Sequence, residues 1–173
     1  MGQALPKIGL RPYLPADASV LASIFAASIN VLTEDDYSEA QREAWASAAE
    51  DEGKFAKRLA GQLTLVATIQ SSPVGFISLK DNTHIDLLYV HPSAARQGVA
   101  TTLVDAIEKL STARGANALT ADVSDTAQHF FARRGYEGQQ RSTISVGDEW
   151  LATTTMKKTF NATALPGDPS KLS

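Results

Sequence analysis

Apolar and polar positions along the chain switch repeatedly between a two-residue and a 3.6-residue period. Gly9 to Tyr13 reads as a strand closed by Pro12 and Pro15. Asp17 can then cap a helix whose Val20, Leu21, Ile24, Phe25 and Ile29 recur at helical spacing. Tyr37 to Trp45 and Glu52 to Ala60, the latter stopped by Gly61, carry two short helical patterns. Leu63 to Gln70 is rich in β-formers, and a turn at Ser71-Ser72-Pro73 returns the chain along Val74 to Lys80. Asp81-Asn82 opens the next turn into His84 to Val90, which makes an antiparallel meander. A helix over Thr101 to Arg114 stops at Gly115 and is followed by a strand over Ala118 to Val123 and a helix over Thr126 to Arg134. Two final strands, Tyr136 to Val146 and Glu149 to Lys158, turn at Gly147-Asp148. Asn161 to Ser173 reads as a polar tail.

The junction between the third strand of the meander and the helix after it carries the strongest chemical signal. In Arg96-Gln97-Gly98-Val99-Ala100-Thr101 a short turn leads straight into a helix, so backbone N–H groups without intrahelical partners converge at the positive end of the helix dipole. Gly98 permits a backbone conformation closed to other residues, and Ala100 lets a ligand come close to the main chain. A phosphate or pyrophosphate suits that cradle, whereas an ordinary corner would need Gly98 for its geometry alone. A P-loop requires Lys and Ser/Thr after its last Gly, and a dinucleotide fingerprint requires three glycines. Val99 and Ala100 follow Gly98 here, which argues against both.

Composition narrows the classes further. A length of 173 residues with 43% hydrophobic content suits one domain with a full core, expected over residues 1–159 with residues 160–173 as a tail. The absence of cysteine excludes a disulfide framework, a Cys-rich zinc site and a cysteinyl acyl-enzyme, and no metal ligand set is assigned. The segment MGQALPKIGLRPYL lacks the basic flank and apolar run of a signal peptide, and no window approaches the ~20 apolar residues of a membrane span. The expectation is a cytoplasmic protein without a membrane partner. A net charge of −3 with no long basic run argues against nucleic acid as the main partner.

Val90-His91-Pro92 at a strand end, with Gly98-x-Ala100 after it, resembles the acyl-CoA-binding signature of the GNAT superfamily of N-acetyltransferases. Ala95 stands where that signature has Arg or Gln. Ser124-Asp125-Thr126-Ala127-Gln128-His129-Phe130-Phe131-Ala132-Arg133-Arg134-Gly135-Tyr136 resembles the family's second segment, with Ser124 at the Asn position and Phe131 at the position of a Tyr that many relatives use as general acid. The resemblance spans roughly Ile8 to Lys158. It implies an α/β (α+β) fold with a mixed, mostly antiparallel central sheet flanked by helices, in which strands 4 and 5 splay apart. It also implies acetyl-CoA as cofactor, its pantetheine arm in the splay against Leu88, Tyr89 and Val90. Arg96, Gln97, Gly98, Val99, Ala100 and Thr101 would hold its pyrophosphate, with Ser124 and Phe131 also in the cofactor site. A backbone N–H near Leu88 would stabilise the acyl oxygen.

Acyl transfer needs a neutral amine and hence a proton acceptor. His84 and Asp86 alternate with Ile85 and Leu87, so either can be the base on one strand face. An imidazole with an unperturbed pKa near ~6.5 needs less tuning than a carboxylate, which would have to be raised by burial. His91 beside Pro92 reads as a surface turn residue. Asn30, Asp35, Tyr37 and Trp45 are the candidate substrate residues, because carboxylates beside aromatic rings suit a cation, although acids before Ser38 also suit a solvated helix start. The expectation is acetyl transfer from acetyl-CoA to a primary amine of a small molecule. A protein or peptide amine and a non-catalytic acyl-CoA sensor are the alternatives. The terminal strand pair leaves a sheet edge through which a homodimer can form.

Overall fold

The computed structural model describes residues 6–160. Seven strands form one sheet in the order β1-β2-β3-β4-β5-β7-β6, comprising β1 (Ile8–Pro12), β2 (Leu63–Ile69), β3 (Ser72–Lys80), β4 (His84–Val90), β5 (Ala118–Ser124), β6 (Glu137–Val146) and β7 (Glu149–Thr159). Every neighbouring pair is antiparallel except β4 with β5, the pair joined by a helical crossover. Five α-helices accompany the sheet: α1 (Ala18–Leu32), α2 (Glu39–Ala46), α3 (Glu52–Ala60), α4 (Val99–Ala113) and α5 (Gln128–Arg133).

Each face of the sheet has its own core, and the helical periodicities decide which helix serves which face. Leu103, Val104 and Ile107, at i, i+1 and i+4 on α4, pack on Ile77, Leu79, Ile85, Leu119, Ala121 and Met156. Leu21, Ile24, Phe25 and Ile29 of α1, with Phe55 and Leu59 of α3, cover Val66, Phe76 and Leu87 on the opposite face. Fully burying side chains of this size stabilises by roughly 1.5–3 kcal/mol each, so two separate cores hold the sheet from both sides.

Several local expectations are corrected. The β2–β3 turn lies at Gln70-Ser71 (φ +51° and +68°), not at Ser71-Ser72-Pro73. A two-residue turn with both residues left-handed matches strand twist, and Pro73 sits opposite Thr68 where the register shifts and a ladder N–H is dispensable. Asp17 does not cap α1 with its side chain. A 3₁₀ turn over Pro15–Asp17 precedes the helix, and the Asp17 carboxylate accepts instead from Leu14 N (2.8 Å) and the Arg11 guanidinium (2.7 and 2.8 Å). Ser38 caps α2, exchanging bonds with Gln41 in a capping box. The helical run Pro15–Leu32 reaches 18 residues with mean hydropathy 1.4, long and apolar enough to cross a membrane by those measures. Its buried residues pack on the sheet instead. Phe160, expected in the tail, donates from its N–H to Asn117 O (2.8 Å) and packs against the α4-side core. The rest of the expected tail lies outside the described residues.

Candidate active site

β4 and β5 are paired only at His84↔Thr120 and Ile85↔Ala121. Beyond that point the facing edges of Asp86 to Val90 and of Asp122 to Ser124 separate, and their backbone groups on that side are not paired with each other. β4 also carries a bulge. Ile85 opposes Leu79 and Leu87 opposes Ser78, so Asp86 has no counterpart on β3. The result is a V-shaped divergence of the two strands, a slot lined by main chain.

The anion cradle lies at the wide end of this slot. After β4, Pro92–Ala94 forms a 3₁₀ turn in which His91 Nδ1 accepts from Ser93 N (3.1 Å), the turn role expected of His91. Arg96 (φ +64°) and Gly98 (φ +85°) are both left-handed, and α4 begins at Val99, two residues earlier than its sequence pattern suggests. No side chain caps α4. The first carbonyl, Gly98 O, accepts from Thr102 N (3.0 Å) and Thr102 Oγ1 (2.8 Å). The N–H groups of Val99, Ala100 and Thr101 find no acceptor among the described residues. A Cβ built on Gly98 would meet nothing within 4 Å, so the space beside these donors is open. Three free N–H groups at the head of a 15-residue helix fit a pyrophosphate. Val99 contributes only its backbone, because its side chain is in the core. Arg96 is exposed, and Gln97 Nε2 is drawn to Ser93 O (3.3 Å).

His84 and Asp86, both candidate bases, stand in different environments. His84 Nδ1 lies 2.7 Å from Thr120 Oγ1, and its Nε2 lies 3.7 Å from Asp122 Oδ2. Asp122 is exposed and accepts from Thr155 Oγ1 (2.6 Å). Asp86 is held by Arg58 (Nε 2.7 Å, Nη2 3.0 Å) and by Gln62 Nε2 (2.8 Å). Burial pushes the Asp86 carboxyl up, but the donors of Arg58 and Gln62 and the Arg58 charge outweigh it, so its pKa lies below the usual carboxylate range. The burial that would have tuned Asp86 toward basicity is present and is overcome by its partners.

An aromatic wall stands on the same face. Tyr89 of β4 meets Phe25 edge-on (centroids 4.6 Å), Trp45 stands 6.4 Å from Tyr89, and Tyr37 stands 5.4 Å from Trp45. The Tyr89 hydroxyl accepts from Trp45 Nε1 (3.2 Å), and burial pushes its pKa up to about 12. Tyr37 is buried. Its hydroxyl donates to Ala152 O (2.7 Å) and accepts from Asp125 N (2.9 Å), so it ties the α1–α2 loop to β7 and to the end of β5. Of the four candidate substrate residues, Tyr37 and Trp45 are brought together. Asn30 and Asp35 are exposed, Asn30 beside α2, where its carbonyl accepts from Arg42 (2.7 Å). Ser124 Oγ accepts from Ala127 N (3.2 Å) ahead of α5, which leaves its own proton to donate. Phe131 is only 3% exposed and packs against Phe130 and Tyr136, so its ring belongs to the core and offers the slot almost no surface.

Thr120, Asp122, Arg58 and Gln62 were not singled out from the sequence. Thr120 and Asp122 alternate on β5 as His84 and Asp86 do on β4, and Arg58 and Gln62 are four residues apart. Those periodicities become legible only once the β4–β5 register and the docking of α3 are known.

The family whose description is Acetyltransferase (GNAT) domain matches residues 33–160 of this chain. An uncharacterized N-acetyltransferase of Escherichia coli (strain K12), YafP, is 33% identical over 150 residues, 87% of this chain and 95% of the relative. A crystal structure of a GCN5-related N-acetyltransferase from Rhodopseudomonas palustris is 62% identical and superposes with a TM-score of 0.88, covering 92% of this chain and 99% of that one. The PaiA N-acetyltransferase of Thermoplasma acidophilum, solved in complex with coenzyme A, shares the fold at 20% identity, with a TM-score of 0.74 over 89% of this chain and 99% of its own. The splayed strands, the uncapped helix and these likenesses agree, and the chain belongs to the GNAT superfamily of N-acetyltransferases. It is an acetyltransferase, with acetyl-CoA as its cofactor.

Proposed function

We propose that the protein acetylates a primary amine of a small molecule by direct transfer, with His84 as the general base. The observation that carries this reading is the placement of His84 at the narrow end of the slot. Its Nδ1 is fixed by Thr120 (2.7 Å), and its Nε2 is directed toward the open face beside Asp122. Bound acetyl-CoA supplies a thioester whose C–S bond breaks as the amine nitrogen bonds to the acyl carbon. The N–H groups of Val99, Ala100 and Thr101 would hold the pyrophosphate, and the β4 edge at Leu88 and Val90, unpaired with β5, would line the slot for the pantetheine arm. A main-chain N–H at the bulge, near Leu88, would stabilise the acyl oxygen. Nε2 of His84 takes the ammonium proton, and the Asp122 carboxylate stabilises the imidazolium that results.

Phe131 carries no hydroxyl, so the thiolate leaves without a proton from that position and is neutralised by water. Two features support a small cationic acceptor: the partly exposed rings of Tyr89 and Trp45, and the buried Tyr37, which ties the α1–α2 loop to Ala152 and Asp125. Loss of turnover in His84→Ala, with acetyl-CoA affinity unchanged, tests the base. Faster thiol release with small diamines than with peptides tests the acceptor class, and the reverse order favours a protein amine. The proposal includes a cytoplasmic setting, tested by cell fractionation. It also includes a homodimer paired through β6, an edge strand of the sheet, tested by light scattering of the eluted protein.

A further inference from the structure

The β4 bulge is the feature the proposed chemistry leans on most, and a regular ladder would be simpler. If β4 paired with β3 without the bulge, every residue after Asp86 would shift by one and exchange faces. Tyr89 would then leave the aromatic wall. The bulge also has a cost: Ser78, opposite Leu87, is fully buried and its hydroxyl has no partner. Something must hold the irregular register in place.

The bulged residue itself is gripped from outside the sheet. Arg58 reaches Asp86 through a two-point fork, Nε to Oδ2 (2.7 Å) and Nη2 to Oδ1 (3.0 Å), and Gln62 adds a third donor at 2.8 Å. Arg58 and Gln62 lie one turn apart at the end of α3 and just beyond it. Phe55 and Leu59 anchor that helix in the core that also contains Leu87. The Asp86 side chain is 18% exposed and that of Arg58 43%, so the pair is sheltered on the carboxylate side. The depressed pKa of Asp86 agrees with a carboxylate that stays charged and held.

We propose that Arg58 and Gln62 act through Asp86 as a positioning clamp that fixes the β4 bulge, and with it the main chain of Leu87 and Leu88 against the acyl oxygen. Asp86 is thereby a positioning residue and takes no proton from the acceptor. The inference rests on the proposed reading, in which main-chain N–H at the bulge serves the acyl oxygen.

The experiment compares Arg58→Met, Arg58→Lys, Asp86→Asn and the Arg58→Met/Asp86→Asn double variant with the parent chain. It reads kcat across pH, acetyl-CoA affinity by titration, and amide hydrogen exchange at the hydrogen-bonded β3–β4 amides flanking the bulge. The clamp predicts a fall in kcat of about 10- to 100-fold in Arg58→Met and Asp86→Asn, with acetyl-CoA affinity within about twofold and full binding stoichiometry. Arg58→Lys, which keeps the charge and loses the fork, falls between. The double variant is no worse than the more impaired single one, because both break one device. The acidic limb of the pH profile stays where the parent has it. Exchange at the β3–β4 amides flanking the bulge speeds up about tenfold or more in Arg58→Met, a readout that needs no acceptor. Loss of the acidic limb in Asp86→Asn would make Asp86 the base, and multiplicative losses or unchanged exchange would overturn the clamp. Full turnover in His84→Ala beside impaired clamp variants would remove the base assignment and leave the clamp standing.

Discussion

At the scale of single residues, Gly98 and His84 make the sharpest demands. A non-glycine residue at φ +85° costs roughly 1–2 kcal/mol, yet the space around Gly98 is open, so Gly98→Glu is expected to fold. Its carboxylate would stand in the cradle and weaken acetyl-CoA binding by about 2–4 kcal/mol, or roughly 30- to 1,000-fold, from charge repulsion at an effective dielectric near ~20. Calorimetric titration of a variant with native circular dichroism checks this, and an unchanged affinity would refute the cradle. His84→Ala should lower kcat by about 10²- to 10⁴-fold, the usual range for a removed general base. Steady-state kinetics at saturating acetyl-CoA provides the comparison. Both were candidates already in the sequence, Gly98 from the strand–turn–helix order and His84 from the period of β4. The imidazole was preferred there on its ordinary pKa, but the partners of Asp86 were not visible, because Arg58 of α3 and Gln62 just beyond it reach Asp86 across 28 and 24 positions of sequence.

Among the elements, the α1–α2 loop and the β4–β5 divergence shape the site. Tyr37 links the loop to Ala152 O and Asp125 N with one hydroxyl. Tyr37→Phe leaves both backbone groups unpaired at a buried position, at a cost of about 1–3 kcal/mol. Melting by calorimetry should show a fall of roughly 2–4 °C per kcal/mol for a chain of this size, with the KM for the acceptor raised more than that for acetyl-CoA. A melting point within a degree of the parent would remove the tie. The element order follows from period and turn chemistry, and the left-handed pairs at Gln70-Ser71 and Asp81-Asn82 close both hairpins of the meander. What local pattern could not supply was the shift of the first turn by one residue, set by Pro73 at the register break, and the bulge at Asp86. Both depend on cross-strand partners. The adjacency of β4 and β5 came from the family resemblance, since a crossover pair has no turn between its strands.

For the molecule as a whole, the ionisable groups set a pH window of stability. Asp17 beside Arg11 and Asp86 beside Arg58 both have folded pKa values below those of the unfolded chain. Their contribution is therefore complete above the unfolded value, about 3.9, and is lost as pH falls through the folded values. Tyr89, at about 12, and Tyr136, raised by burial and by Glu108, have the opposite sign. Their contribution is complete below about 10 and lost as pH rises toward the folded values. Melting temperature should be flat between about pH 5 and 9 and fall on both sides, and phenol absorbance should show Tyr37, Tyr89 and Tyr136 titrating only with unfolding. Two cores on opposite faces of one sheet carry this stability and leave the slot between β4 and β5 as the place where chemistry can occur. The most direct test of that chemistry is thiol release from acetyl-CoA by the parent chain and by His84→Ala, measured across a panel of small amines. Amine-dependent release by the parent, lost in His84→Ala while acetyl-CoA still binds, is the predicted result. Equal release from both proteins, or none from the parent with any amine, would contradict the account.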